Sequence, residues 1–175
     1  MRRDKEAPPN PLTAALRMLA RRPYSVAEMR RELEKKYPDS SQVSKAIARL
    51  RELHYLDDKE FAEHYASSLV RNRAYGRYRI RRELKAKLVD YRQIEPALTQ
   101  AFEETSERDL LEETLAKKVR TLRLPLTRAK LASLCHSLLR RGFRSDDIIK
   151  AVRARPELRA VAEEAAPLED ENTEG

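Results

Sequence analysis

The chain has 175 residues, of which 38% are charged, a formal net charge of +8, no Trp, three Gly and one Cys. It contains no apolar run of the roughly 18 residues that a membrane-spanning helix needs, and the opening MRRDKEAPPNP lacks the apolar segment of a signal peptide. The lone Cys135 excludes an intramolecular disulfide framework and a cysteine-ligated zinc site, so a reducing, cytoplasmic setting is expected.

Residues 1–11 hold three prolines and no periodic apolar pattern, and read as a disordered arm. From there the composition is that of a helix former, rich in Ala, Leu, Arg, Lys and Glu. A short helix is expected over Leu12 to Ala20. Helical spacing then recurs down the chain: Val26, Met29, Leu33; Val43, Ile47, Leu50, Leu53; Phe61, Tyr65, Leu69; and Ile80, Leu84, Leu88. It continues through Ile94, Leu98, Phe102; Leu111, Leu115, Val119, Leu122; Leu131, Leu134, Leu138, Leu139; and Ile148, Ile149, Val152. Ser25-x-x-Glu28, Asp39-x-x-Gln42, Asp57-x-x-Glu60, Asp90-x-x-Gln93 and Ser106-x-x-Asp109 mark helix starts, because a short oxygen-bearing side chain satisfies an orphan N–H of the first turn. Ser145, followed by Asp146 and Asp147, marks another. No alternating strand pattern competes, so the fold class is all-α.

The helices repeat. Tyr24-Ser-Val-Ala-Glu-Met-Arg-Arg-Glu-Leu33 aligns with Tyr75-Gly-Arg-Tyr-Arg-Ile-Arg-Arg-Glu-Leu84, and the register continues through Asp39 with Asp90 and Ile47 with Leu98. A weaker third copy places Leu138-Leu-Arg-Arg-Gly-Phe143 opposite Leu33 to Pro38. Three tandem three-helix repeats are expected, over 12–56, 57–105 and 106–155, with a helix-turn-helix look. Each buries too little apolar surface to stand alone, so stacking into an elongated, curved array is expected. Residues 156–175 carry seven acids against Arg159, a net of −6, and read as an acidic, disordered tail; since the whole chain carries +8, residues 1–155 carry +14.

The charge concentrates in the second repeat. Residues 71–92 hold nine Lys/Arg against Glu83 and Asp90. Arg71, Arg73, Arg77, Arg79, Arg81, Arg82 and Lys85 are the candidate contacts for a polyanion, expected to fan over the exposed arc of a helix whose Ile80 and Leu84 face inward. Tyr78 is the aromatic candidate beside them, whereas Tyr75 matches Tyr24 and suits packing just before a helix. Arg30 and Arg31 in the first repeat, and Arg140 and Arg141 in the third, form smaller patches. The competing reading is an ordinary solvated helix face. Asp57, Asp58, Glu60 and His54 lie in a helix's first turn, where acids are expected anyway, and are not read as a metal site. No catalytic triad, phosphate loop or cofactor turn is present, so no enzyme, cofactor or metal is expected.

The motifs Leu50-x-x-Leu-x-Tyr-Leu-Asp-Asp58, Phe61-Ala62, Arg71, Gly76-x-x-x-Ile80-x-x-Glu-Leu84-x-x-Lys87 and Arg140-Arg-Gly-Phe143 resemble the RecX family, over roughly residues 12–153. The resemblance implies tandem three-helix repeats in an extended molecule. It also implies a non-enzymatic modulator of the RecA recombinase in DNA repair, homologous recombination and the SOS response. The implied partners are the RecA filament and single- and double-stranded DNA, met by a monomer through phosphates without sequence specificity. The chain departs from the pattern at His54, Tyr37 and Leu88, which stand at glycine positions that end helices; His tolerates the left-handed conformation, and the turn at Leu88 is expected to differ. A stand-alone DNA-binding protein and a helical adaptor are the other readings.

Overall fold

The computed structural model describes residues 10–163, and every regular element among them is a helix. The order is α1 (Pro11–Leu19), α2 (Val26–Glu34), α3 (Ser40–Glu52), α4 (Asp58–Arg73), α5 (Arg77–Ala86), α6 (Tyr91–Ala101), α7 (Glu107–Arg120), α8 (Arg128–Arg140), α9 (Ser145–Arg153) and α10 (Pro156–Glu163).

Both ends of the expected map change. The arm does not run to residue 11: Asn10 Oδ1 accepts from Thr13 N at 2.8 Å, and Pro11 opens α1, where its fixed φ and missing N–H suit the first helical position. Residues 1–9 lie outside the described residues. At the other end, the tail begins with α10 rather than disorder. Proline again opens the helix, and Leu158 is fully buried where α10 packs on α8 and α9. The high acid count concealed this single apolar anchor; residues 164–175 lie outside the described residues.

The caps at Ser25, Asp39, Asp57, Asp90 and Ser106 form as expected, each side-chain oxygen accepting backbone N–H groups of its helix's first turn. At Ser145 the expected helix start also holds: α9 begins there with Asp146 and Asp147 in its first turn, and Arg144 takes the cap position without a side-chain cap bond. Leu53, Leu139 and Ile149, assigned to apolar faces, are exposed. Leu53 is the C-cap of α3, and the neighbouring Leu138 and Ile148 take the buried positions.

The chain divides into two compact units, Met1–Ser68 with Arg81–Ala101, and Leu69–Ile80 with Phe102–Gly175. In the first, α1, α2 and α3 enclose Ala15, Met29, Leu33, Val43, Ile47 and Leu50, closed by Leu56. The start of α2 is held by long-range polar contacts. Ser25 Oγ accepts from Glu28 N at 3.0 Å and donates to the Lys87 carbonyl, while Asp58 Oδ1, from the first turn of α4, accepts from Val26 N at 2.8 Å. The buried Glu28 carboxylate receives Arg22 through two bonds of 2.9 and 3.1 Å and Lys87 Nζ at 3.2 Å. Burial pushes that carboxyl up, but the bonds from Arg22 and Lys87 together outweigh it and hold it below the usual range. Asp58 is raised instead, because burial exceeds the help of the Val26 N–H.

In the second unit, α7 to α10 bury Leu111, Leu115, Leu138, Ile148 and Leu158, together with Val70 and Ile80 from the end of α4 and the start of α5. The start of α5 is fixed by the turn after α8: Gly76 N donates to Arg141 O at 2.8 Å and Tyr78 N to Gly142 O at 3.3 Å. Glu107, the first residue of α7, accepts from Arg77 N at 2.8 Å. Burial raises its carboxyl, partly offset by that bond. The first turn of α7 thus caps α5 as the first turn of α4 caps α2. A Cβ on Gly142 would stand 2.2 Å from Arg79 N, and one on Gly76 would stand 2.5 Å from Gly142 O.

Left-handed residues end four helices: His54 at φ 56°, Ala74 at 49°, Leu88 at 59° and Gly142 at 89°. Three are followed by the same closing bond, from Tyr55 N to Leu50 O, Val89 N to Leu84 O and Phe143 N to Leu138 O, at 2.9, 3.2 and 3.4 Å. The turn at Leu88 therefore does not differ from a glycine turn. The bond to Leu84 O and the burial of Val89 offset the strain of its side chain. Tyr37, by contrast, is not left-handed, and α2 ends with Tyr37 N on Leu33 O at 2.9 Å.

Candidate nucleic-acid interface

The candidate cations separate by what holds them. In the first unit, Arg82 and Lys85 are exposed on α5 and make no ion pair among the described residues. Arg81, expected on the same open arc, is clamped by Glu95 of α6 through Nε–Oε1 at 2.7 Å and Nη2–Oε2 at 3.0 Å. The two helices place them side by side, a pairing that sequence spacing does not reveal. Arg30 donates to Ser44 Oγ at 3.1 Å and lies 3.9 Å from Glu34, and Arg31 lies 3.8 Å from Glu32.

In the second unit, Arg71 and Arg73 at the end of α4, and Arg140 at the end of α8, are exposed without an ion pair among the described residues. Tyr78 is 55% exposed. Arg77 does not fan outward: its Nε is 3.6 Å from Glu107 Oε2 and its guanidinium lies 5.0 Å from the Phe102 ring centroid. Glu107 is drawn to that spot as the cap of α5, so the pairing follows from the fold. Arg79 is half-buried with its guanidinium 5.3 Å from the Tyr75 ring, which supports a packing place for Tyr75. Arg22 stacks over the matching Tyr24 at 3.6 Å. Arg141 Nη1 donates to the carbonyls of Arg73 and Ala74, tying the turn after α8 to the end of α4.

Of the sequence candidates, those left open are thus Arg71, Arg73, Arg82, Lys85 and Arg140. Sequence reasoning passed over Lys117 and Lys118 of α7, which lie with Arg71 around one cleft. Their adjacency was a signal, but it falls outside the run at 71–92. Cys135 is half-buried, and burial pushes its thiol up. Among the described residues no group of three or more His, Cys, Asp or Glu side chains is placed to hold a metal ion, and no helix is long and apolar enough to cross a membrane.

Comparison with known proteins gives the same name throughout. Residues 12–50 match the family model described as RecX, first three-helix domain, and residues 57–98 the one described as RecX, second three-helix domain. The regulatory protein RecX of Chlorobaculum tepidum is 35% identical over 142 residues, spanning 81% of this chain and 86% of that protein. That of Cronobacter sakazakii is 34% identical, over 78% of this chain and 87% of that protein. The crystal structure of RecX from Lactobacillus salivarius superposes with a TM-score of 0.65 at 24% identity, over 82% of this chain and 93% of that one, a likeness of fold.

Proposed function

Since the chain belongs to the RecX family of regulatory proteins, we propose that it is a non-enzymatic regulator that binds a RecA–DNA filament, in its groove, and inhibits or modulates recombinase activity in the cytoplasm. The observation that carries this is the set of five exposed cations, Arg71, Arg73, Arg82, Lys85 and Arg140, left without ion pairs among the described residues. Cations in water with no carboxylate partner exchange counterions for phosphates at little cost, which gives salt-dependent affinity without sequence reading. Cations already clamped, such as Arg81 on Glu95, must first break a bidentate pair. Several open cations act at once, so weak individual contacts along a repetitive filament add up to tight binding. Such contact slows ATP turnover and blocks access of a second strand.

The test is the DNA-dependent ATPase of RecA with this protein titrated in, beside the variant Arg71→Ala/Arg73→Ala/Arg82→Ala/Lys85→Ala. Inhibition at less than one copy per recombinase, lost in the variant, supports the proposal. No effect on RecA together with salt-sensitive binding to naked DNA replaces it with a stand-alone DNA-binding protein.

A further inference from the structure

A cleft of about 460 Å³ opens in the second unit among the end of α4, α7 and the end of α8. Arg71, Lys117, Lys118 and Arg141 line it against one carboxylate, Glu113, which lies 3.3 Å from Lys117. Arg141 is held in place by the two backbone carbonyls it donates to, so its charge is fixed at the edge. Arg71 and Lys118 have no ion pair among the described residues. Thr114, only 6% exposed, also lines the cleft, and its hydroxyl has no hydrogen-bond partner among the described residues. The hydroxyl is therefore open to whatever occupies the cleft. Burial first, and then the charges of Arg141 and Arg140, hold the Lys118 ammonium below its ordinary range. An anion that also accepts hydrogen bonds balances the charges of Arg71 and Lys118 and gives the Thr114 hydroxyl an acceptor. A phosphate fits best, since its several oxygens can take a guanidinium, an ammonium and a hydroxyl at once.

We propose that this cleft seats a phosphate of a nucleic-acid strand, with Arg71 and Lys118 supplying the charge and Thr114 a neutral hydrogen bond. The proposal deepens the reading above by naming a site for its nucleic-acid contact, yet it is testable on naked DNA with no recombinase present.

The experiment is fluorescence anisotropy of a labelled oligothymidylate with the full-length chain across a salt series, comparing Lys118→Ala, Thr114→Val and, as a charge control, the exposed Arg128→Ala. Lys118→Ala is expected to weaken binding about tenfold and to flatten the salt slope by about 0.7, as loss of one phosphate contact on a single strand requires. Thr114→Val is expected to weaken binding several-fold with the slope unchanged, because a hydrogen bond and no charge is lost. Its melting temperature should hold or rise, since the hydroxyl has no partner to lose. Wild-type binding by both variants overturns the proposal, and so does an equal loss from Arg128→Ala, which would mean undirected electrostatics. Inorganic phosphate or ATP binding that depends on Lys118, with oligonucleotide binding unaffected, would make the cleft a free-phosphate site and refute the strand assignment.

Discussion

The same helix-to-turn contact is built twice, from different chemistry. At the start of α2, Ser25 reaches the Lys87 carbonyl with its side chain, and Glu28 gathers Arg22 and Lys87 in a buried ion cluster beside Leu88. At the start of α5, the matching Gly76 meets the Arg141 carbonyl with its backbone N–H, and Gly142 lies against the backbone of Arg79. The first contact is made by side chains, so it responds to charge and leaves room for a leucine at the turn. The second is made by close backbone approach, so it responds to volume. A repeat preserves which elements touch more faithfully than it preserves what they touch with.

The largest expected effect breaks the second contact. Gly142→Ala places a methyl 2.2 Å from Arg79 N at φ 89°, and should lower unfolding free energy by about 3 kcal/mol or more, read from the urea midpoint. The equivalent position in the first contact already carries a leucine, so an alanine there should be tolerated. Next in size, Glu28→Ala strips the partner from Arg22 and Lys87 and should cost about 2 kcal/mol at neutral pH. Because the folded carboxyl lies below its ordinary value of 4.5, its charge stabilises fully above that value. The contribution is lost as pH falls through the lower, folded value. The gap between wild type and Glu28→Ala should therefore narrow in acid.

The capping acid of the second contact should behave oppositely. Burial raises Glu107 above 4.5, so the folded state holds the proton more tightly than the unfolded chain. Stability then falls as pH rises from 4.5 through the folded value. Glu107→Gln keeps an acceptor for Arg77 N–H and should change stability at neutral pH by no more than about 1 kcal/mol, while removing that acid-side dependence from the pH–stability curve. The smallest effect moves the glycine solution into the first contact. Leu88→Gly relieves a left-handed leucine at φ 59° and should stabilise by about 0.5–1 kcal/mol in thermal melts.

Periodicity and caps make the helices and repeats legible in the sequence, because they are local: Asp39 and Ser106 need only their own first turns. The arm and tail boundaries were misjudged where one residue decides, Pro11 at one end and Leu158 at the other. The candidate surface was legible as charge but not as availability. Glu95 lies 14 residues from Arg81 and Glu107 lies 30 from Arg77, so neutralisation is a tertiary fact. Arg71 and Lys118 meet around one cleft for the same reason, beyond any helical spacing.

The central claim is that open cations, and not clamped ones, carry binding. It is tested most directly by the salt dependence of binding to a preformed RecA–single-stranded DNA filament for two variants of equal charge. One removes Arg71, Arg82 and Lys85, and the other removes Arg30, Arg31 and Arg81, in each case to Ala. The account predicts a large loss of affinity and a flatter salt slope for the first, with the second close to wild type. Equal losses in both would show that net charge alone governs binding and would contradict the account.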